Sequence, residues 1–316
     1  MRVYSHPACL LHDPGDGHAE RPARLTAVTE ALRLALPALD WHEAPRASRG
    51  QLLRVHSDDL LALVLDTDLQ LLLEPIALDP DTFLSSGSAE AALRAAGAGV
   101  AAEDAVMSAK IRRAFCAVRP PGHHATDSVA MGFCLFNNIA VAAAHACDKH
   151  GLTRVAIVDF DVHHGNGTQA IFDTDPRVMY LSSHQLPLYP DSGHANERGV
   201  GNIVNVPLPP GTGSAEFRRH WSEQLLPALD AFRPQLLLIS AGFDAHRLDP
   251  LAQLELDAAD FGWVTGQLVG IALRHAQGRV VSMLEGGYDL TALREAAVAH
   301  VMALQEQPAR NPAPPS

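Results

Sequence analysis

The segment Asp159-Phe-Asp161-Val-His163-His164-Gly-Asn166 follows the apolar run 154–158 and is built from side chains that hold divalent cations. At a strand end, alternation puts Asp159, Asp161 and His163 on one side and Phe160 and Val162 on the other. A carboxylate and an imidazole two residues apart can bind one ion, and Asp244, just past the apolar run 235–241, would complete a three-ligand set. Two aspartates and one histidine with an open fourth position suit a catalytic zinc, though iron or cobalt would also be accepted. A lone Asp-x-His at a strand end is more often a hydrogen-bonded turn. Ionisable groups gathered at the ends of several apolar strands are different, because burying them unpaired is costly. A metal and its substrate account for them.

His123-His124 follows the rigid turn Pro120-Pro121-Gly122, which aims two imidazoles from a second strand at the same place. An imidazole beside water that a metal polarises can take its proton and later deliver it to a leaving amine, as amide hydrolysis requires. Asp159 could orient one imidazole and Asn166 the other, which would give the pair different basicity. Glu285-Gly286-Gly287-Tyr288 ends a further apolar run, 279–284, and could present a phenol to a developing oxyanion.

These clusters need a scaffold that brings them together. Each ends a short apolar run, and the runs alternate with helical stretches, the pattern of buried parallel strands in an α/β sheet. Strands are expected at 114–118, 154–159, 178–183, 203–206, 235–241 and 279–284. Helices are expected at 137–149, about 167–172, 215–231, 257–275 and 290–304. The N-terminal third reads as helical, with Glu20 to Leu36 and Ala89 to Val106 as its helices and Gly97 and Gly99 allowing close packing. In an open parallel sheet ligands bind beyond the carboxyl ends of the strands, so the clusters converge on one crevice.

Composition sets the outer bounds. The 316 residues are 47% hydrophobic, ample for a large core, and no linker divides them, so one catalytic domain over 1–306 is expected. A proline-rich tail over 307–316 is expected to be disordered. A formal charge of −12 argues against a general nucleic-acid binder and is compatible with a cationic ligand. The four cysteines form no C-x-x-C pair and read as reduced thiols. With no signal-peptide pattern and no apolar stretch of membrane-spanning length, a cytoplasmic protein without a membrane partner is expected.

Five ordered motifs together resemble the histone deacetylase family, in its class II-like branch with the bacterial amidohydrolases and acetylpolyamine amidohydrolases. They are Arg119-Pro-Pro-Gly-His-His124, Gly132-Phe-Cys-Leu-Phe-Asn-Asn138, Val158-Asp-Phe-Asp-Val-His-His-Gly-Asn-Gly167, Ser240-Ala-Gly-Phe-Asp-Ala-His246 and Leu284-Glu-Gly-Gly-Tyr288. Glu20-Arg-Pro-Ala-Arg-Leu25 fits the same branch, and the resemblance covers roughly residues 3–304. It implies an arginase-like α/β domain with a central eight-stranded parallel sheet flanked by helices. It also implies one catalytic zinc on Asp161, His163 and Asp244, a catalytic pair in His123 and His124, and a carbonyl-polarising Tyr288. Gly132, Phe133 and Tyr189 match the walls of an acyl-lysine tunnel, Leu251 its apolar rim, and Asp81 the rim carboxylate that grips substrate backbone. A potassium site is implied at Asp159, Asp161, His163, Ser182 and the carbonyl of Ser183.

Two departures inform the expectation. Asn166 stands where class I members carry aspartate, so His124 has no carboxylate partner. Leu251 stands where a polyamine-selective branch carries glutamate, which argues against that narrow specificity. The expected activity is zinc-dependent hydrolysis of an N-acetylated amine, acetyl-lysine in proteins or peptides or a small acetylated amine, to acetate and free amine. An acetylpolyamine amidohydrolase is the alternative; a non-catalytic acyl-amine sensor and a two-metal ureohydrolase are remote ones. The loop 12–20 and the segment 185–200 are expected to control access.

Overall fold

Ser282 and Met283 are neighbours on one strand and therefore point to opposite faces of their sheet. Ser282 Oγ lies 2.8 Å from His300 Nε2, on a C-terminal helix, whereas the Met283 sulfur lies against Gly99 of a helix from the first third of the chain. Helices thus cover both faces of the sheet, which is why its strands read as continuous apolar runs. The structure, a computed structural model, describes residues 1–68 and 74–306. The tail expected over 307–316 lies outside them.

In chain order the first half comprises β1 (Arg2–Ser5), α1 (Ala23–Ala35), β2 (Asp40–Glu43), α2 (Arg49–Leu52), α3 (Asp58–Leu65), β3 (Ile76–Ala77), β4 (Phe83–Leu84), α4 (Ser88–Met107), β5 (Arg113–Cys116) and α5 (Asn138–His150). The second half comprises β6 (Val155–Asp159), α6 (Asn166–Phe172), β7 (Val178–Gln185), β8 (Ile203–Leu208), α7 (Ser214–His220), α8 (Leu226–Phe232), β9 (Leu236–Ala241), α9 (Ala258–His275), β10 (Val280–Leu284) and α10 (Leu290–Gln305). Eight strands form one parallel sheet in the order β2-β1-β5-β10-β9-β6-β7-β8, and β3 and β4 form a separate antiparallel pair. This is the single α/β domain with an eight-stranded parallel sheet that the motifs implied. α4 packs on α5 over one face, and α10 packs on α1 and α9 over the other.

The four strands that carry the polar clusters, β5, β10, β9 and β6, are adjacent in the middle of the sheet. Their carboxyl ends are therefore neighbours, although the chain visits them far apart in sequence. Gly97 shows why α4 needs small residues: a Cβ there would run into the Pro45 carbonyl oxygen.

The N-terminal third differs from its helical expectation, because β1 and β2 add two strands to the sheet edge. Each has only four residues, and β2 (Asp-Trp-His-Glu) has no fully buried side chain. Such segments are strands through pairing rather than through an apolar run. The helix expected over 215–231 is broken into α7 and α8 by a π-helical turn at Trp221–Leu225. Pro227 has no N–H to donate to the preceding turn, and the wider turn accommodates it. Cys9, Cys116, Cys134 and Cys147 are buried and unpaired. No helix among the described residues is long and apolar enough to cross a membrane.

Candidate active site

β6 ends at Asp159, and the backbone beyond it curls so that its own amides bind its carboxylates. Asp161 N–H donates to Asp159 Oδ1 at 3.1 Å, and His163 N–H donates to Asp161 Oδ1 at 2.9 Å. Beyond β9, Asp244 Oδ1 accepts from Val162 N–H at 2.9 Å, which locks the second aspartate to the β6 loop. Beyond β10, Gly286 N–H donates to Asp161 Oδ2 at 2.8 Å. Side chains are excluded at two glycines: a Cβ on Gly242 would strike Asp161 Oδ2, and one on Gly286 would strike Asp244 Oδ2.

The result is a compact donor set. His163 Nδ1 lies 3.1 Å from Asp161 Oδ1 and 3.1 Å from Asp244 Oδ2, and one ligand atom from each residue falls within 4.8 Å of the others. Tetrahedral zinc with bonds of about 2.0–2.2 Å has ligand atoms roughly 3.3–3.5 Å apart, so modest adjustment seats an ion. Both carboxylates are fully buried, and two carboxylates, one imidazole and no thiolate are the donors of a catalytic site with an open position. The residues fit a divalent cation.

The two histidines lie beside this set, ring centroids 4.1 Å apart, and have different partners. His123 Nδ1 lies 3.0 Å from Asp159 Oδ2, and His124 Nδ1 lies 2.8 Å from Asn166 Oδ1. An amide oxygen only accepts, so His124 carries its proton on Nδ1 and leaves Nε2 as a free base. Burial acts to lower His123, but the Asp161 and Asp159 carboxylates outweigh it and hold the imidazole up at about 10. Burial, with His123 and His163 nearby, holds His124 well below the usual histidine range. Burial opposes the charge on His163 too, yet Asp161 and Asp244 hold it up at about 10. A dication among these carboxylates would reverse the local field and lower both raised imidazoles. Tyr288, buried and near Asp244, is held well above 10, so its hydroxyl is a neutral donor.

His124, His163 and Tyr288 open onto one cleft of about 250 Å³. Asp81, Gly132, Phe133, Tyr189 and Leu251 line the same cleft, so all the residues assigned to a substrate channel meet there, joined by Leu188. Phe133 and Tyr288 stand edge to face with centroids 5.7 Å apart, and Tyr189 stands 5.2 Å from His124. Gly132 and Phe133 have φ of +57° and +68°, an uncommon pair of left-handed residues that turns the Phe133 ring into the wall. Thr82 Oγ1 accepts from Phe133 N–H at 2.9 Å, fixing that turn. From the loop 12–20, His18 packs edge-on against Phe133 at 4.8 Å and reaches the Asp81 carbonyl at 3.0 Å. The expected potassium donors lie behind the site: Asp159 pairs with Ser182 across β6 and β7. Trp221 Nε1–H donates to the Ser183 hydroxyl at 3.1 Å.

Several supporting residues escaped the sequence reading. Tyr180 donates its hydroxyl to Asp159 Oδ2 at 3.1 Å, holding the carboxylate that faces His123. Glu285 stands in the sequence only as the residue that ends a strand, yet its Oε2 accepts from Gly122 N–H at 2.6 Å and His123 N–H at 3.2 Å, tying β10 to the histidine turn. Asp249 Oδ2 accepts from Tyr288 N–H at 2.7 Å, while its Oδ1 accepts from Leu251 N–H at 3.1 Å. Arg24 lies 4.8 Å over the Tyr288 ring and donates to the Gly287 carbonyl at 2.6 Å. Glu20, fully buried, bridges Arg24 and Arg119. A charged Glu-Arg-Pro-x-Arg run at the start of an amphipathic helix was the available signal for that bridge. The other contacts depend on distant pairings.

Residues 18–304 match the model of the histone deacetylase domain. The chain is 41% identical over 283 residues to the histone deacetylase-like amidohydrolase of Pseudomonas aeruginosa, covering 86% of this chain and 73% of that one. It is 39% identical over 322 residues to the human polyamine deacetylase HDAC10, covering 95% of this chain and 46% of that protein. It superposes on the crystal structure of the HDA15 HD domain with a TM-score of 0.90 at 37% identity, over 96% of this chain and 88% of that one.

Proposed function

This chain belongs to the histone deacetylase family, and on that premise we propose that it is a zinc-dependent deacylase that hydrolyses N-acetylated amines to acetate and a free amine. The observation that carries the reading is the meeting of the Asp161-His163-Asp244 donor set, the free Nε2 of His124 and the Tyr288 phenol at one apolar-walled cleft. Asp161, His163 and Asp244 would hold the cation, which when bound would supply a Lewis acid for the amide carbonyl and make water more acidic. Asp159, Ser182 and their neighbours are suited to a structural potassium ion behind it.

The chain's own groups then divide the work. His124 Nε2 takes the proton of the attacking water and returns it to the leaving nitrogen. His123, backed by Asp159, stays an electrostatic partner. The Tyr288 hydroxyl donates to the oxyanion as the carbonyl becomes tetrahedral. Phe133 and Tyr189 flank the alkyl chain that leads to the amide, and Asp81 at the mouth accepts substrate backbone N–H groups.

Of the two substrate classes, acetyl-lysine peptides fit better than acetylpolyamines. Leu251 in the cleft lining stands where a polyamine-selective branch carries glutamate, and its apolar side chain offers the second cation of a polyamine no charge. Acetate release should be compared across acetyl-lysine peptides, N-acetylputrescine and N-acetylspermidine, with and without a chelator. Faster turnover of the peptides, lost on chelation and restored by zinc, is expected. Full activity in metal-free protein would overturn the mechanism, and faster turnover of the polyamines would overturn the substrate class.

A further inference from the structure

A second group of metal-ligating side chains lies away from the cleft, where α4 and α5 end side by side. Glu103 and Asp104 come from the last turns of α4, and His145 and His150 from the last turns of α5. α5 starts at the loop holding His123, through Asn137 Nδ2 to the Ala125 carbonyl at 3.0 Å, and ends at His150, just ahead of β6. The 13 residues of α5 make a rod of about 20 Å. The group therefore sits near the opposite end of the sheet from the cleft.

Both histidines aim Nε2 at the same carboxylates. Asp104 Oδ1 lies 2.8 Å from His150 Nε2 and 3.2 Å from His145 Nε2. The Glu103 oxygens lie 3.5 Å from each of the two. One ligand atom from each of the four residues falls within 4.8 Å of the rest. A tetrahedral ion with bonds of about 2.0–2.2 Å needs edges of roughly 3.3–3.5 Å, and the four measured separations bracket that value.

Glu103 gives the independent sign of a ligand. Its side chain is 0% exposed, it points between the two imidazoles, and neither carboxylate oxygen accepts a hydrogen bond. Buried polar atoms without partners are rare and costly. Burial, with Asp104 alongside, pushes Glu103 up to about 8. A dication balances two carboxylates and two neutral imidazoles and gives both Glu103 oxygens a partner.

We propose that Glu103, Asp104, His145 and His150 form a second site for a zinc-class divalent cation, which staples the far ends of α4 and α5. Two imidazoles and two carboxylates select such an ion over calcium or magnesium, which favour all-oxygen sites. Asp104 and His150 are partly exposed, so the ion has a path in. Ligation through Nε2 requires a proton on His145 Nδ1, which now faces Arg54 Nη1 at 2.8 Å. Arg54 must then turn to Asp148, already 3.6 Å from its Nε. The site needs no part of the catalytic reading to be correct.

The test is the stoichiometry of Zn²⁺ and Co²⁺ bound by the full chain after chelation and reloading. Two equivalents are expected for the wild type and one for His145→Ala/His150→Ala. That variant should keep deacetylase turnover within about twofold while losing a zinc-dependent rise in Tm of about 5 °C, the gain expected near a hundredfold excess over Kd. Should the double variant not fold, His150→Ala, at the partly exposed end of α5, serves in its place. Either variant binding as many equivalents as the wild type at micromolar zinc overturns the proposal.

Discussion

On the proposed mechanism Tyr288 supplies a single hydrogen bond, and does so only once the carbonyl has become an oxyanion. Tyr288→Phe should therefore lower kcat on an acetyl-lysine peptide by about 10²–10³ with little change in KM, the usual loss for one oxyanion donor. Unchanged turnover on an unactivated acetamide would remove that role. Asp249 acts one step back, through the Tyr288 amide. Asp249→Asn weakens a charge-assisted hydrogen bond and should lower kcat by about tenfold, with Asp249→Ala worse. Steady-state kinetics of the pair checks this. The grouping of Asp161, His163 and Asp244 was legible in the sequence because the three stand in short motifs at the ends of apolar runs. Tyr180 and Asp249 were not, because each acquires its meaning from a partner 21 or 39 residues away. A tyrosine in an apolar strand looks like core until Asp159 is seen beside it.

At the scale of elements, the central strands were legible and the edge was not. β6, β9 and β10 are apolar enough to declare themselves, whereas β1 and β2 are short or polar and exist through their neighbours. The π-helical turn between α7 and α8 was foreshadowed only by Pro227, which a helical pattern can hide. The bridge of Glu20 to Arg24 and Arg119 joins α1 to the loops beyond β5 and β10. Burial works against the Glu20 carboxylate, but Arg119 and Arg24 prevail and hold it down at about 2, below its ordinary 4.5. A folded value lower than the unfolded one means that the stabilisation is complete above pH 4.5 and fades as pH falls toward 2. Glu20→Gln leaves buried guanidinium charge uncompensated and should destabilise by about 3–5 kcal/mol. Denaturant titrations should show that loss at pH 7 and a flatter acid limb in the variant. An unchanged midpoint at neutral pH would show that the bridge is not stabilising.

Across the whole molecule, the excess of acidic over basic residues gives a field that favours cationic substrates. KM for a lysine-rich acetylated peptide should rise several-fold between low salt and about 0.5 M, where the screening length falls to a few ångströms, while a neutral acetamide is unaffected. Equal salt responses for the two would show that attraction at a distance plays no part. Charge balance was legible from composition, and Asp81 at the rim from the resemblance; the contacts of His18 with the Phe133 ring and the Asp81 carbonyl were not, because they required the fold. Asp249 couples two properties that enzymes often vary separately. One carboxylate anchors the backbone of Tyr288, the phenol of the proposed mechanism, and the backbone of Leu251, which lines the cleft. Remodelling the entrance near 249–251 to admit other acylated amines will thus be felt as slower chemistry, and breadth and speed will trade against each other through one side chain.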